Sequence, residues 1–185
     1  QGISAVITDP PYGIDLSNHG AFVGDFFVIG DKDLEIANYV IEWCSKEKLN
    51  TAMFCSPDKP YEGKWNSRLV WYKRGRGVGG DWERCWLRDW EMILVNAVKP
   101  IKKKETSVLD FSPASCEFHK CEKPVSLMSY LIQQLSSEGD IIFDPFMGSG
   151  STGVAALQTG RRFIGCELSQ EHFATAEKRM KPADL

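Results

Sequence analysis

Short apolar runs, each closed by proline, glycine or a charge, alternate along this chain with stretches whose apolar residues recur at helical spacing. "ISAVIT" (3–8) predicts a short, fully buried strand, and "NTAMFCSP" (50–57) a second one stopped by Pro57. "RLVWYKR" (68–74), "EMILVNAV" (91–98), "DIIFD" (140–144) and "RRFIGCEL" (161–168) predict four more. From Asp33, read as an N-cap, Leu34, Ile36, Ala37, Val40, Ile41 and Cys44 follow a helical period. A helix over 125–136 places Val125, Leu127, Met128, Leu131, Ile132 and Leu135 on one face. "STGVAALQTG" (151–160) and "SQEHFATAEKRM" (169–180, capped by Ser169) predict two more helices. Three stretches read as irregular: 14–25, rich in Gly, Asn and Ser; 75–90, rich in Gly and Trp; and 99–124. Strands alternating with helices imply an open, mostly parallel sheet with helices on both faces. No repeat or second core divides residues 1–185, so one domain is expected.

Composition narrows the class. The 43% hydrophobic and 25% charged content is that of a globular protein. No apolar run reaches the roughly 18–20 residues a bilayer-crossing helix needs, so no membrane partner is expected. The chain begins at Gln1, almost on the first strand, and is expected to have lost its true start. Six scattered cysteines without a CxxC pair read as reduced thiols of a cytoplasmic protein. Cys116-x2-His119-x-Cys121 fits no common zinc spacing and lacks a fourth ligand, so no metal is expected.

Charge changes the picture more. Between Lys64 and Lys104 eleven Lys or Arg stand against four acids, within a chain of net charge −3. Five of the six Trp residues (65, 71, 82, 86, 90) fall in the same stretch. Basic residues interleaved with aromatics suit phosphate contacts and base stacking. Lys73, Arg74, Arg76, Trp82, Lys102, Lys103 and Lys104 are therefore the candidate nucleic-acid contacts.

Two strand ends carry candidate chemistry. "TDPPYG" (8–13) stops the first strand with two prolines, which offer no N–H to a ladder. The same stiffness would hold the Asp9 carboxylate, a carbonyl and the Tyr12 ring in fixed relation. "FDPFMGSGSTG" (143–153) contains Gly148-x-Gly150-x-x-Gly153, a loop that closes its backbone on a ligand at a helix N-terminus. Glu167, at the next strand end, is placed to accept hydrogen bonds from ribose hydroxyls. A dinucleotide and S-adenosylmethionine both fit such a loop. Asp144 favours the second, because a carboxylate there repels a pyrophosphate but suits a sulfonium and an ammonium.

"TDPPYG", "HKCEKPVSLMSYLI" and "FDPFMGSGSTGVAAL…GRRFIGCEL…A…RM" together resemble three motif blocks of the DNA amino-methyltransferases, with the catalytic block first. That permuted order is the β class, which acts on adenine N6 or cytosine N4. The resemblance implies a Rossmann-like methyltransferase fold with an antiparallel strand pair, S-adenosylmethionine as cofactor and double-stranded DNA as substrate. It assigns catalysis to Asp9, Pro10, Pro11 and Tyr12. Asp9 and the Pro10 carbonyl would accept the amino hydrogens, and Tyr12 would stack on a flipped base. Cofactor contacts would come from Asp9, Lys123, Asp144, Pro145, Phe146, Gly148, Ser149, Gly150, Ser151 and Glu167, with 119–124 closing over the ligand. DPPY rather than SPPY points to adenine, with cytosine N4 as the alternative. Absence of a Pro-Cys dipeptide argues against cytosine C5 chemistry. A non-catalytic nucleic-acid-binding subunit and a dinucleotide oxidoreductase remain as rival readings.

The resemblance divides the chain into a catalytic half (1–98), a short basic target-recognition segment (99–118) and a cofactor half (119–185). Family members usually carry a strand ahead of the catalytic one and a much larger recognition region. One sheet edge and one adenine contact are therefore expected to be missing. β-class members often dimerise, so a second copy is among the implied partners, and the implied compartment is the bacterial cytoplasm.

Overall fold

The structure, a computed structural model, describes residues 2–13, 34–75, 86–99, 106–115 and 122–181. Its strands are β1 (Ala5–Thr8), β2 (Asn50–Cys55), β3 (Ser67–Tyr72), β4 (Trp90–Asn96), β5 (Val108–Asp110), β6 (Ile141–Asp144) and β7 (Arg162–Gly165). Its helices are α1 (Glu35–Lys46), α2 (Val125–Leu135), α3 (Ser151–Gln158) and α4 (Gln170–Met180). The strands form one sheet in the order β5-β3-β4-β2-β1-β6-β7. β4 runs antiparallel to both β2 and β3, and the other pairings are parallel.

Alternation along the strands builds two cores. Ala5, Ile7, Ala52, Phe54, Ile93 and Ile142 face one way, under Leu127, Met128, Leu131, Ile132 and Leu135 of α2 and Ala155 and Ala156 of α3. Val6, Met53, Cys55 and Leu94 face the other, under Ala37, Val40 and Cys44 of α1. Both faces of β1 and β2 are buried, as expected for parallel strands between helix layers. α4 follows Ser169, whose side chain accepts from His172 N at 3.3 Å, and it packs on α3.

Three details differ from the sequence-based expectation. Residues 99–124 are not wholly irregular: β5 pairs in parallel with β3 and forms one sheet edge, with Leu109 buried between exposed Val108 and Asp110. Three residues with a single inward side chain show no alternation for a pattern to detect. α1 has Leu34 as its N-cap without a side-chain bond, and Asp33 lies outside the described residues. The strands over 50–57, 68–74 and 91–98 are shorter, at 50–55, 67–72 and 90–96. No described helix is long and apolar enough to cross a membrane.

The order reverses between β1 and β6. Chain following β1 moves to one side of the sheet, and chain following β6 to the other. The crevice outside the carboxyl ends of two such strands is where open α/β sheets bind ligands. Asp9 and Asp144 stand at those two ends.

Candidate active site

Asp144 joins the two strand ends. Its carboxylate accepts from Thr8 Oγ1 at 2.5 Å, from Thr152 Oγ1 at 2.5 Å and from the Phe146 N–H at 3.0 Å. Strand β1, strand β6 and the first turn of α3 are thereby locked together. Burial pushes the Asp144 carboxyl up to about 6, against the pull of those three donors.

The proline loop leaves β1 and is fastened from outside. Tyr61 donates its hydroxyl to the Pro11 carbonyl at 2.9 Å, with the Pro10 carbonyl more distant at 3.4 Å. Lys59 donates to the Gly13 carbonyl at 2.8 Å. Within this frame Tyr12 donates to Asp9 Oδ1 at 2.8 Å, and Lys123, just before α2, pairs with Asp9 Oδ2. Glu91, on β4, completes the cluster. Its Oε2 lies 3.4 Å from the Lys123 ammonium and 3.4 Å from the Tyr12 hydroxyl, and its Oε1 pairs with Lys73. Lys123 also lies 5.0 Å from the Phe54 ring centroid.

Electrostatics separates the two carboxylates. Burial, helped by the nearby Glu91 charge, raises Asp9 above the ordinary carboxylate range despite Lys123. Burial also acts upward on Glu91, but Lys123 and Lys73 together outweigh it and hold Glu91 low. Tyr12 is pushed well up by burial and by both acids, so its hydroxyl stays a donor.

The glycine loop lies across the crevice. Gly148 and Gly150 take left-handed backbone at φ 50° and 85°. A Cβ at Gly148 would point into open space, whereas one at Gly150 would lie 2.8 Å from the Ala176 Cβ on α4. Gly153 lets α3 approach Phe163 of β7 and Met180 of α4. Glu167 accepts from the Gly148 N–H at 2.9 Å and the Ser169 N–H at 2.8 Å, tying the strand end to the loop. Arg179 of α4 donates to Ser149 O at 2.8 Å, to Ser149 Oγ at 3.0 Å and to Glu122 Oε1 at 2.6 Å. The other Glu122 oxygen is buried with no hydrogen-bond partner among the described residues.

This arrangement has known counterparts. The family model described as DNA methylase, of the N6 and N4 type, matches residues 26–178. The chain belongs to this family. The type II methyltransferase M.HinfI of Haemophilus influenzae is 30% identical over 145 residues, covering 78% of this chain and 33% of that protein. The DNA adenine methyltransferase YhdJ of Escherichia coli (strain K12) is 40% identical over 67 residues, or 36% of this chain and 23% of YhdJ. The chain thus spans about a third or less of the length of these relatives. The crystal structure of the M1.HpyAVI–SAM complex shares the fold, with a TM-score of 0.67 and 25% identity over 97% of this chain and 89% of that one.

In this chain the residues expected at the site divide into groups. Asp9, Pro10, Pro11, Tyr12 and Lys123 come together around one carboxylate. Pro145, Phe146, Gly148, Ser149, Gly150, Ser151 and Glu167 lie in or beside the glycine loop. Lys123, expected over the cofactor, pairs with Asp9 and Glu91. Asp144 spends its oxygens on Thr8, Thr152 and Phe146, so it shapes the crevice from behind. Lys73 turns inward to Glu91, while exposed Arg74 bonds Asp110 at 2.6 Å. Arg76, Trp82, Lys102, Lys103, Lys104, His119, Cys116 and Cys121 lie outside the described residues.

Sequence pattern alone misses Glu91, Tyr61, Glu122 and Arg179 as site residues. Glu91 has one signal, an acid opening an otherwise apolar strand. Tyr61 has none, whereas Glu122 lies in the 119–124 segment and Arg179 in the last motif block, without a pattern that pairs them. The strand-end Glu167 carboxylate is an acceptor of the kind that ribose hydroxyls need, and it stands beside the left-handed Gly148, whose Cα faces open space.

Proposed function

We propose that this protein transfers the methyl group of S-adenosylmethionine to the exocyclic N6 amino group of an adenine flipped out of double-stranded DNA. The observation that carries the reading is the meeting of the DPPY loop and the glycine loop at one switch point, tied by the Thr8–Asp144 bond. S-adenosylmethionine, when bound, supplies the electrophilic methyl group.

The chain's own residues handle the amino group. An exocyclic nitrogen is a weak nucleophile because its lone pair is shared with the ring. Asp9 and the Pro10 carbonyl accept its two hydrogens and draw the lone pair out of conjugation. The fastened loop supplies the orientation, which for well-held reactants is worth several powers of ten in rate. A raised Asp9 is suited to take up the proton released when the N–C bond forms. The Tyr12 ring stacks on the base, and Gly148, Ser149, Gly150, Ser151 and Glu167 line the donor side. Basic residues of 64–104 supply phosphate contacts.

Adenine follows from the aspartate of DPPY and accords with a relative named as an adenine methyltransferase. The test is transfer of labelled methyl to duplex DNA, followed by nucleoside digestion. N6-methyladenine is expected, and Asp9→Ala should lose at least about 10²-fold in kcat while still binding S-adenosylhomocysteine. N4-methylcytosine in the digest would overturn the choice of base. Binding of S-adenosylhomocysteine with no transfer, and no difference between wild type and Asp9→Ala, would overturn the enzyme itself.

A further inference from the structure

Both oxygens of Asp9 are already engaged: Oδ1 by the Tyr12 hydroxyl and Oδ2 by Lys123. Each oxygen keeps a second lone pair and can accept a target amino hydrogen, but while the Lys123 ammonium pairs with Oδ2 it neutralises the charge that would attract that hydrogen. Lys123 is nine-tenths buried, so it cannot simply move into water without breaking its packing over Phe54. A second carboxylate waits beside it. Glu91 Oε2 is 3.4 Å from the same ammonium, while Lys73 holds Glu91 Oε1 from the other side. Glu91 sits on β4, paired in register with Trp71, and the Lys73 ammonium lies 5.1 Å from the Trp71 ring centroid. The acceptor is thus mounted on rigid sheet, with one oxygen tethered and the other facing the lysine.

Resting on the methyltransferase reading above, we infer that Glu91 is a positioning residue. It receives Lys123 from Asp9 when the target amino group arrives, and so frees the catalytic carboxylate. The ammonium remains paired throughout, and no net charge enters or leaves the buried site. Lys73 is part of the device, because an untethered Glu91 would follow Lys123 toward Asp9 instead of drawing it away.

Several charged and titratable groups face this cluster. Tyr12 comes from the proline loop, Lys123 from the segment before α2, Glu91 from β4 and Lys73 from the end of β3. Cys55 of β2 and Asp144 of β6 feel the Asp9 charge, and Tyr61 touches the loop carbonyls. Among these, Glu91 is the negative neighbour that raises Asp9 and Lys123 the positive one that lowers it.

Two variants read the handover. Glu91→Gln keeps the shape and an acceptor for Lys73 but has no charge to attract Lys123. At saturating DNA its kcat should fall about tenfold or more, with KM for S-adenosylmethionine within about twofold of wild type. Its acid limb should move to lower pH, because Asp9 loses a negative neighbour. Lys73→Met should also lower kcat but move the acid limb to higher pH, since a positive charge is lost beside the two acids. A fixed Glu91 would give the same charge shifts, so the fall in kcat at unchanged KM is the reading specific to the handover, and the shifts check the charge coupling it needs. An unchanged kcat, a loss confined to KM, or acid limbs that stay in place in both variants would overturn the inference. Titration of the Asp9 carboxyl carbon by NMR, without DNA, gives a reading independent of turnover. Its midpoint should fall in Glu91→Gln and rise in Lys73→Met, and an unmoved midpoint overturns the inference even if wild type transfers no methyl. Wild type without transfer is the separate mark of a failed methyltransferase reading.

Discussion

Asp9 and Asp144 are both aspartates at strand ends, both buried, and both raised by burial. Their surroundings give them opposite uses. Asp9 is met by a lysine ammonium and a tyrosine hydroxyl, each with an alternative acceptor in Glu91. Asp144 is met by two buried threonine hydroxyls and a backbone N–H, with no second carboxylate bonded to them among the described residues. The first can exchange partners and the second cannot. That difference gives Asp144 a stability signature. Its carboxyl rises from an ordinary 3.8 to about 6 in the folded chain, so the native state holds the proton more tightly than the unfolded state. The associated stability is full below about pH 4 and is lost as pH rises through 6. Asp144→Asn removes that dependence. Between pH 4 and 7 the gap in unfolding free energy should shift by up to about 3 kcal/mol in the variant's favour, at about 1.4 kcal/mol per pH unit. Urea unfolding at several pH values measures it, and a gap that does not change with pH would contradict the assignment.

The glycine loop shows how one element divides its residues between folding and binding. Gly150 has left-handed backbone and its Cα abuts Ala176, while Gly148 has left-handed backbone facing open space. Gly150→Ala should therefore lose about 1–2 kcal/mol to backbone strain and about 1–3 kcal/mol more to overlap with α4. Gly148→Ala should suffer only the strain, yet its methyl group enters the space where a ligand is proposed to lie. Thermal melts and calorimetry with S-adenosylhomocysteine should dissociate the two: the larger loss of stability in Gly150→Ala, the larger loss of affinity in Gly148→Ala. The reverse order would place the ligand elsewhere. Elements of this kind are legible in the amino-acid pattern itself. β1, β2 and β6 are apolar runs closed by proline or charge, and α1 and α2 carry clear faces. β5 is not legible, having one inward residue. Nor is the Glu91 cluster, because its members lie at 9, 12, 73, 91 and 123 and meet only once β1, β3 and β4 have taken their places in the sheet. Local pattern reports local structure. Pairings that depend on strand order leave no local trace, and a lysine that turns inward looks in sequence like one facing solvent, as Lys73 shows.

At the scale of the molecule, the permuted order leaves the architecture intact. What matters for the crevice is that the β1 and β6 ends are adjacent, whichever of the two comes first along the chain. Permutation does set where charge falls. The basic stretch 64–104 contains β3 and β4, which lie on the side of β1 away from β6 and β7. The eleven basic residues there include three that already have acidic partners, Lys73 with Glu91, Arg74 with Asp110 and Arg88 with Asp58. The consecutive Lys102, Lys103 and Lys104 concentrate the most charge in the shortest length, without an acid among them. Each lysine that neutralises a phosphate releases counterions and adds about 0.9 to the slope of log affinity against log salt. Replacing all three by Ala should therefore lower that slope by up to about 3 for duplex DNA. Sequence preference should change little, because phosphate contacts position a duplex without reading it. S-adenosylhomocysteine affinity should stay as in wild type, since the proposed donor side lies at β6, α3 and β7. Fluorescence anisotropy across a salt series gives the slope directly. An unchanged slope would assign the DNA-facing charge to other residues of the stretch and remove 102–104 from the interface.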